Sequence, residues 1–124
     1  MEVGAKASES LDTSALQELR ELTVGLGHPE QFRELIALFL DGLEPGVASM
    51  REALAGGKAE ELAVQAHGFK GTSASMGAMN LASLCVAVEK AAAEANFELA
   101  QAVLGQIESE VEIVRGLLER ETRC

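Results

Sequence analysis

The sequence contains no tryptophan or tyrosine, only two cysteines and two prolines, and half as many basic as acidic residues. The cysteines, Cys85 in an apolar stretch and Cys124 at the last position, are too few for a disulfide scaffold. Residues that favour strands are also few, whereas the strong helix formers Ala and Leu dominate the apolar set. Apolar residues still make up 48% of the chain, which is enough to form a core. This composition favours helices packed on helices.

The charge is strongly one-sided, because 20 acidic residues stand against 10 basic ones and give a formal net charge of -10. Such a surface repels nucleic acid and anionic lipid, so we expect neither nucleic acid nor a membrane as a partner. No apolar run approaches the length that spans a bilayer. Residues 1–10 include Glu2, Lys6 and Glu9 without an apolar stretch, which argues against a signal peptide. We therefore expect a cytoplasmic protein.

The chain divides into a short polar start and one helical domain. Residues 1–10 are predicted to form a mobile N-terminal segment, and residues 11–124 a single domain. The spacing of apolar residues predicts five helices, over residues 12–24, 30–55, 58–76, 80–95 and 97–119. Short links between long amphipathic helices favour antiparallel neighbours. The predicted fold is all-α, an antiparallel up-and-down four-helix bundle with an additional N-terminal helix.

The inward face of each helix follows from three-and-four spacing of apolar residues. In the first helix this face is expected to carry Ala15, Leu19 and Leu22, with either Asp12 or Thr13 as the cap. In the second helix the inward stripe is Phe32, Leu35, Ile36, Phe39, Leu43, Val47, Met50 and Leu54. In the last helix it is Val103, Ile107, Val111, Val114 and Leu118.

Two features interrupt these patterns. Pro45 lies inside the second stripe, where proline removes one backbone hydrogen bond and clashes with the carbonyl four residues earlier. The stripe keeps its phase across Pro45, so we predict either a kinked helix or two nearly collinear pieces. In the last helix the acidic run Glu108, Glu110 and Glu112 is expected on a face exposed to solvent.

The third predicted helix carries His67, one of the two histidines of the chain. Its apolar stripe is Leu62, Ala66, Phe69, Ser73 and Met76. At about 100° per residue, His67 lies roughly 140° from Leu62 and points away from the core. Lys70 and Gly71, at i+3 and i+4, share its side of the helix. This pattern alone is compatible with an ordinary surface histidine or with a functional one.

Two glycines, Gly68 and Gly71, lie in the middle of the same helix. Each costs about 1 kcal/mol of stability relative to alanine. Close approach of another backbone or of a phosphate is one reason to keep them. Tight packing between helices is the other, and it explains Gly68 more readily than Gly71 on the outer face.

Other chemistry-bearing patterns are missing from the sequence. No His or Cys spacing suggests a zinc site, and no glycine-rich phosphate loop or nucleotide fingerprint is present. His28, directly before Pro29, is interpreted as a cap or an exposed loop residue. Cys85 lies on an inward stripe and is expected to behave as a small buried apolar residue. We therefore expect no bound cofactor or metal.

The run from His67 to Gly77, followed by Leu81, Cys85 and Glu89, resembles the signature of histidine-containing phosphotransfer (HPt) domains. The resemblance implies that His67 is phosphorylated at its outer ring nitrogen and that Lys70 and Gly71 belong to the same site. It also implies that Glu89 reaches the inner ring nitrogen. From spacing alone, Glu89 could equally be a solvated residue on the flank of the fourth helix.

The chemistry of these residue types fits such a role. An unperturbed imidazole has a pKa of about 6.5, so much of it is a neutral nucleophile near pH 7. Phosphoryl transfer needs an in-line nucleophile and stabilisation of charge, with little covalent help from the protein. Lys70 can supply a cation to the phosphoryl oxygens, and Gly71 removes a side chain that would block them.

The resemblance implies a phosphocarrier without an independent catalytic centre. The donor would be a phosphoaspartate on the receiver domain of a hybrid histidine kinase, and the acceptor a receiver domain of a response regulator. Magnesium would belong to the receiver. We expect a monomer. The predicted docking surface, on the second and third helices around His67, consists of Leu38, Leu40, Ala63, Val64 and Ala74.

Two alternatives remain open from the sequence. The same bundle could bind a receiver or a kinase and inhibit it without accepting phosphate. It could also be the substrate domain of a histidine kinase, phosphorylated directly by an ATP-binding domain. Phosphate labelling with candidate kinases and receivers separates these possibilities.

Overall fold

The structure, a computed structural model, describes residues 10–122 of the chain. Residues 13–122 form five helices and the described part contains no strand. The helices are α1 (Thr13–Gly25), α2 (Glu30–Ala55), α3 (Ala59–Ser75), α4 (Met79–Ala93) and α5 (Phe97–Thr122). Their bounds lie within three residues of the prediction. The predicted mobile segment, residues 1–10, lies outside the described residues except for Ser10.

Helices α2 to α5 form an antiparallel bundle around one core. Each packs on its neighbour in the chain, and α2 closes the ring by also packing on α5. The predicted stripes of α2, α3 and α5 face inward. The largest fully buried side chains are Leu16, Ile36, Leu43, Met50, Leu62, Leu81, Cys85, Val88, Leu104, Ile107, Val114 and Leu118. The predicted all-α fold is confirmed, and no helix in this part of the chain has the length and apolarity needed to cross a membrane.

Helix α1 packs with a face that only partly matches the predicted one: Leu19 packs against the core and Ala15 is partly buried as expected, but Leu22 is not part of that face. Leu22 is 57% exposed, whereas Leu16 and Thr23 are buried. The buried Thr23 hydroxyl donates to the carbonyl oxygens of Leu19 and Arg20, so its burial leaves no polar atom unpaired. The guanidinium of Arg20 lies 4.2 Å from the centre of the Phe32 ring. The face of α1 that packs on the bundle therefore includes polar residues, so the spacing of apolar residues alone did not identify it completely.

The turn between α3 and α4 anchors the start of α1. The backbone N–H of Asp12 donates to the carbonyl of Gly77 at 2.6 Å. Gly77 has φ +79°, and a Cβ on it would lie 2.5 Å from the Asp12 carbonyl oxygen. Glycine is required there both for its backbone angle and for this close approach. Asp12 is also the cap of α1, and its hydrogen bonds from the Ser14 hydroxyl and N–H hold the pKa of the carboxyl below its usual range.

Pro45 neither divides nor ends its helix. α2 runs without interruption from Glu30 to Ala55 and contains Pro45 on its exposed side. Proline cannot donate to the carbonyl of Asp41. Because Asp41 is exposed as well, water can bind that carbonyl, and one continuous helix is retained.

One of the three acidic residues predicted to face solvent is buried. Glu110 is 4% exposed, while Glu108 and Glu112 are exposed. The amide of Asn80, in the first turn of α4, donates to Glu110 Oε1 at 3.0 Å. The prediction was wrong for Glu110 because α4 covers that face of α5 and supplies a polar partner.

Candidate functional site

His67 stands on the outer surface of the bundle. Its neighbours Leu62, Ala66 and Phe69 fix the inward face of α3 and are buried. The imidazole lies on the opposite side, and 64% of its side-chain surface is exposed. Because α3 is held along its length by α2 and α4, the ring is presented to solvent from a fixed backbone.

Glu89 on α4 contacts the His67 ring. Its Oε2 lies 3.2 Å and its Oε1 3.4 Å from Nδ1 of His67. An ionised carboxylate is an acceptor only, so Nδ1 must carry the hydrogen in this contact. The neutral ring then has its lone pair on Nε2. The contact thus selects the tautomer whose outer nitrogen is a nucleophile.

Lys70 follows His67 by one helical turn on the side of α3 towards α4. It is half-buried, and within residues 10–122 no carboxylate pairs with its ammonium group. An ammonium group one helical turn from the ring and not already neutralised can compensate the charge of an incoming phosphoryl group.

Gly68 and Gly71 are not required by the packing of the bundle. A Cβ added to either residue would have no other atom within 4 Å, apart from its immediate chain neighbours and the helix's own backbone. The two glycines lie on the exposed side of α3. Tight packing between helices therefore does not explain them, and the alternative of close approach by another molecule remains.

A groove that the sequence did not predict runs between α2 and α3. It has a volume of about 510 Å³ and is mainly apolar. Leu35, Leu38 and Gly42 line it from α2, and Gly68, Thr72 and Met76 line it from α3. We name this feature the α2–α3 groove. Its lining includes Gly68, the residue next to His67, so the ring and the groove lie side by side on the same helix.

The other residues considered for a chemical role, His28 and Cys85, lie away from this surface. His28 lies in the turn between α1 and α2, exposed, with its Nδ1 3.7 Å from a carboxylate oxygen of Glu30. Cys85 is fully buried, and desolvation raises the pKa of its thiol to about 12. In the part of the chain that the structure describes, no three His, Cys, Asp or Glu side chains converge on a point where a metal could bind.

Comparison with known proteins decides the family. The family model described as the Hpt domain matches residues 34–117, which include α3, α4 and nearly all of α2. The chain belongs to the Hpt family. Its structure is similar to the crystal structure of histidine-containing phosphotransfer protein B from Pseudomonas aeruginosa PAO1, with a TM-score of 0.83 and 34% identity. The match covers 90% of this chain and 93% of that one. A comparison with curated protein sequences gave no match.

Four of the five predicted docking residues lie in three different places on the bundle. Leu38 and Val64 are each 71% exposed, Leu38 in the α2–α3 groove and Val64 on the outer face of α3. Ala63 and Ala74 are half-buried on the flank of α3 that faces α4. On α3, Ala63 and Val64 lie about one helical turn before His67, and Ala74 lies about two turns after it.

Leu40 does not belong with them. It is half-buried against the core, on the flank of α2 that faces α5. On the same flank, at i+4, Glu44 pairs with Arg115 of α5 at 3.8 Å. Leu38 and Leu40 are two residues apart and therefore point about 160° away from each other around the helix. Leu40 is removed from the docking surface.

Proposed function

We propose that this Hpt protein carries a phosphoryl group on Nε2 of His67 between receiver domains. It would accept the group from the phosphoaspartate of a hybrid histidine kinase and pass it to a response regulator. One observation carries the proposal: the exposed His67 ring has its Nδ1 held by Glu89, which leaves Nε2 free on the solvent side. The family membership supports the same role.

The transfer would proceed by in-line displacement. The Nε2 lone pair attacks the phosphorus, a P–N bond forms, and the bond from phosphorus to the aspartyl oxygen breaks. The aspartate leaves as a carboxylate, and the hydrogen on Nδ1 stays in the contact with Glu89. Lys70 would lie against the phosphoryl oxygens, and Gly71 would leave room for them. The return step to the second receiver is the reverse of this sequence.

The proposal assigns no independent catalytic centre to the chain, which we propose is not an enzyme. Magnesium would be bound by the receiver, where the phosphoaspartate is formed and hydrolysed. We further propose a cytoplasmic monomer whose partners are receiver domains. The formal charge of -10 makes nucleic acid and anionic membranes poor partners.

The receiver is proposed to dock over His67 and the adjoining part of α2. Leu38 and Val64 would be covered, because an apolar side chain that is 71% exposed gains most from burial. Ala63 and Ala74 would lie at the edge, where their small side chains allow the receiver to approach the ring.

The function is tested by incubating the protein with a panel of phosphorylated receiver domains. We expect a label that is lost in acid and retained in base, as a phosphoramidate behaves. A receiver that binds without labelling the protein would favour the inhibitory module instead. Labelling by a kinase and ATP in the absence of any receiver would favour the substrate domain of a kinase.

The docking surface is tested by charge substitution at exposed positions. Leu38→Glu and Val64→Glu should weaken receiver binding without loss of helical structure, because neither side chain contributes to the core. Ile113→Glu is the matched control, since Ile113 is an exposed apolar residue of α5. Equal receiver binding by all three variants would contradict the proposed docking surface.

A further inference from the structure

A buried polar pair between α4 and α5 takes no direct part in the proposed transfer. Glu110 is 4% exposed, and its Oε1 accepts a hydrogen bond of 3.0 Å from the side-chain amide of Asn80. Its other oxygen, Oε2, is buried without a hydrogen-bond partner within residues 10–122. This arrangement lowers stability, because Oε2 has lost its contact with water and gained no partner. An apolar side chain of similar volume would be at least as stable there, so packing alone does not explain Glu110.

The Asn80 side chain is not used as asparagine usually is near the start of a helix. Asparagine favours the cap position, where its side chain binds the free backbone N–H groups. In α4 that position is Ala78, which makes no side-chain hydrogen bond, and Asn80 lies in the first turn. The Asn80 side chain reaches across to α5 instead. Its contact therefore joins two helices rather than capping one.

The buried face of α4 consists mostly of small apolar side chains. Those that are small are Ala82, Cys85, Ala91 and Ala92. Apolar packing of this kind specifies a rotation of the helix only weakly, because small side chains interdigitate little. A hydrogen bond is directional, and a buried polar pair can fix the register of packed helices. The pair of Asn80 and Glu110 is therefore suited to fix the rotation of α4.

This pair and the contact of Glu89 with His67 lie on opposite sides of α4. Asn80 and Glu89 are nine residues apart, which places them about 180° apart around the helix and about 13 Å apart along its axis. Asn80 joins α4 to α5, and Glu89 reaches α3. At a side-chain radius of about 6 Å, rotating α4 by about 10° moves the Glu89 carboxylate by about 1 Å. Such a displacement is enough to lose the 3.2 Å contact with His67.

We propose that Asn80 and Glu110 are positioning residues, which set the rotation of α4 and thereby hold Glu89 on Nδ1 of His67. Both act through Glu89 rather than on the ring itself. This inference rests on the proposed function, in which the Glu89 contact prepares Nε2 for phosphoryl transfer. It extends the residues that prepare His67 from α4 to α5.

The decisive variant replaces both partners with apolar residues. Asn80→Ala/Glu110→Leu removes the amide and the carboxyl together, so Tm should equal or exceed that of the unchanged protein. The ¹⁵N shifts of the His67 ring should still move towards those of Glu89→Ala. The rate of transfer from a phosphorylated receiver should fall about tenfold, because the nucleophile is no longer held in the reactive tautomer. Glu110→Gln should retain the shifts and the rate, since its amide oxygen can accept from Asn80.

Two comparisons separate positioning from stability. Val47→Ala removes methyl groups from a buried residue of α2, so it should lower Tm and leave the His67 ring shifts unchanged. In a Glu89→Ala background, Asn80→Ala/Glu110→Leu should change neither the shifts nor the rate further, because the pair acts through Glu89. An additional loss in that background would mean that the pair acts by another route, and it would overturn the inference.

The inference and the proposed function fail in different measurements. Ring shifts that stay unchanged in Asn80→Ala/Glu110→Leu, or that move as far in Glu110→Gln, would overturn the inference and leave transfer to His67 intact. If the double variant does not fold, Asn80→Ala alone should move the shifts in the same direction, because Asn80 is only half-buried. If the unchanged protein takes no label from any receiver, the proposed function fails, and the ring shifts still decide whether the pair positions Glu89.

Discussion

Glu89 of α4 holds the inner nitrogen of His67 of α3, with 3.2 Å between Glu89 Oε2 and His67 Nδ1. The contact joins two helices whose packing on each other is the most extensive in the bundle. Because the carboxylate only accepts hydrogen bonds, it decides which ring nitrogen carries the hydrogen and which carries the lone pair. A residue 22 positions away in the sequence would thus prepare the proposed nucleophile.

Substitution of Glu89 should change the tautomer of His67. In Glu89→Ala the preference for hydrogen on Nδ1 should be lost, whereas Glu89→Gln should retain much of it, because the amide oxygen can still accept. The ¹⁵N chemical shifts of the ring nitrogens report the tautomer directly, and His28 serves as an internal reference. An unchanged His67 spectrum in Glu89→Ala would show that the carboxylate does not set the tautomer.

Removal of the Lys70 ammonium should slow phosphoryl transfer. We expect Lys70→Ala to lower the transfer rate by at least about tenfold, since a charge-assisted contact to the phosphoryl oxygens is lost. Lys58→Ala is the control, because Lys58 is an exposed cation at the start of α3 and away from His67. Equal rates for the two variants, measured by rapid quench, would exclude Lys70 from the mechanism.

Gly77 should be far more sensitive to alanine than Gly57, although both have positive φ. Gly57 has φ +66° and open space around an added Cβ, so Gly57→Ala should cost about 1 kcal/mol. At Gly77 the Cβ would also press on the Asp12 carbonyl, and about 3 kcal/mol of unfolding free energy should be lost. Urea unfolding measures both values, and equal losses would mean that the contact with Asp12 contributes nothing.

Cys85 should be inert at neutral pH and should make stability fall at high pH. Burial raises the pKa of its thiol from 9.0 to about 12. The associated stability is fully present below pH 9 and declines as pH rises towards 12, because the unfolded thiol ionises first. In a Cys124→Ser background, a thiol reagent at pH 8 should react after denaturant is added and not before. Reaction of the reagent with the folded protein would show that the Cys85 thiol is not buried.

The fold was predictable where one helix face is uniformly apolar. In α5 the residues Val103, Ile107 and Val111 recur at regular spacing, and all are buried. In α1 the packed face includes Thr23 and Arg20, whose polar groups are satisfied by backbone carbonyls and by Phe32 and Glu121. Such partners lie on other helices or depend on local hydrogen bonds, so an apolar pattern within α1 could not identify the packed face.

The site was predictable only as far as a single helix determines it. The outward direction of His67 and the neighbouring positions of Lys70 and Gly71 follow from the helical period. The α2–α3 groove, by contrast, depends on how two helices rotate against each other. The same limitation placed Leu40 on the wrong flank of α2 and Glu110 in solvent, because each position depends on the packing of a neighbouring helix.

Phosphorylation of one named histidine is the most direct test of the account. The protein is incubated with a phosphorylated receiver, and the modified residue is identified by mass spectrometry under basic conditions that preserve phosphohistidine. His67→Gln should take up no label while keeping its helical signal, and His28→Gln should be labelled as the unchanged protein is. Label retained in His67→Gln, or lost in His28→Gln, would contradict the assignment of His67 as the carrier.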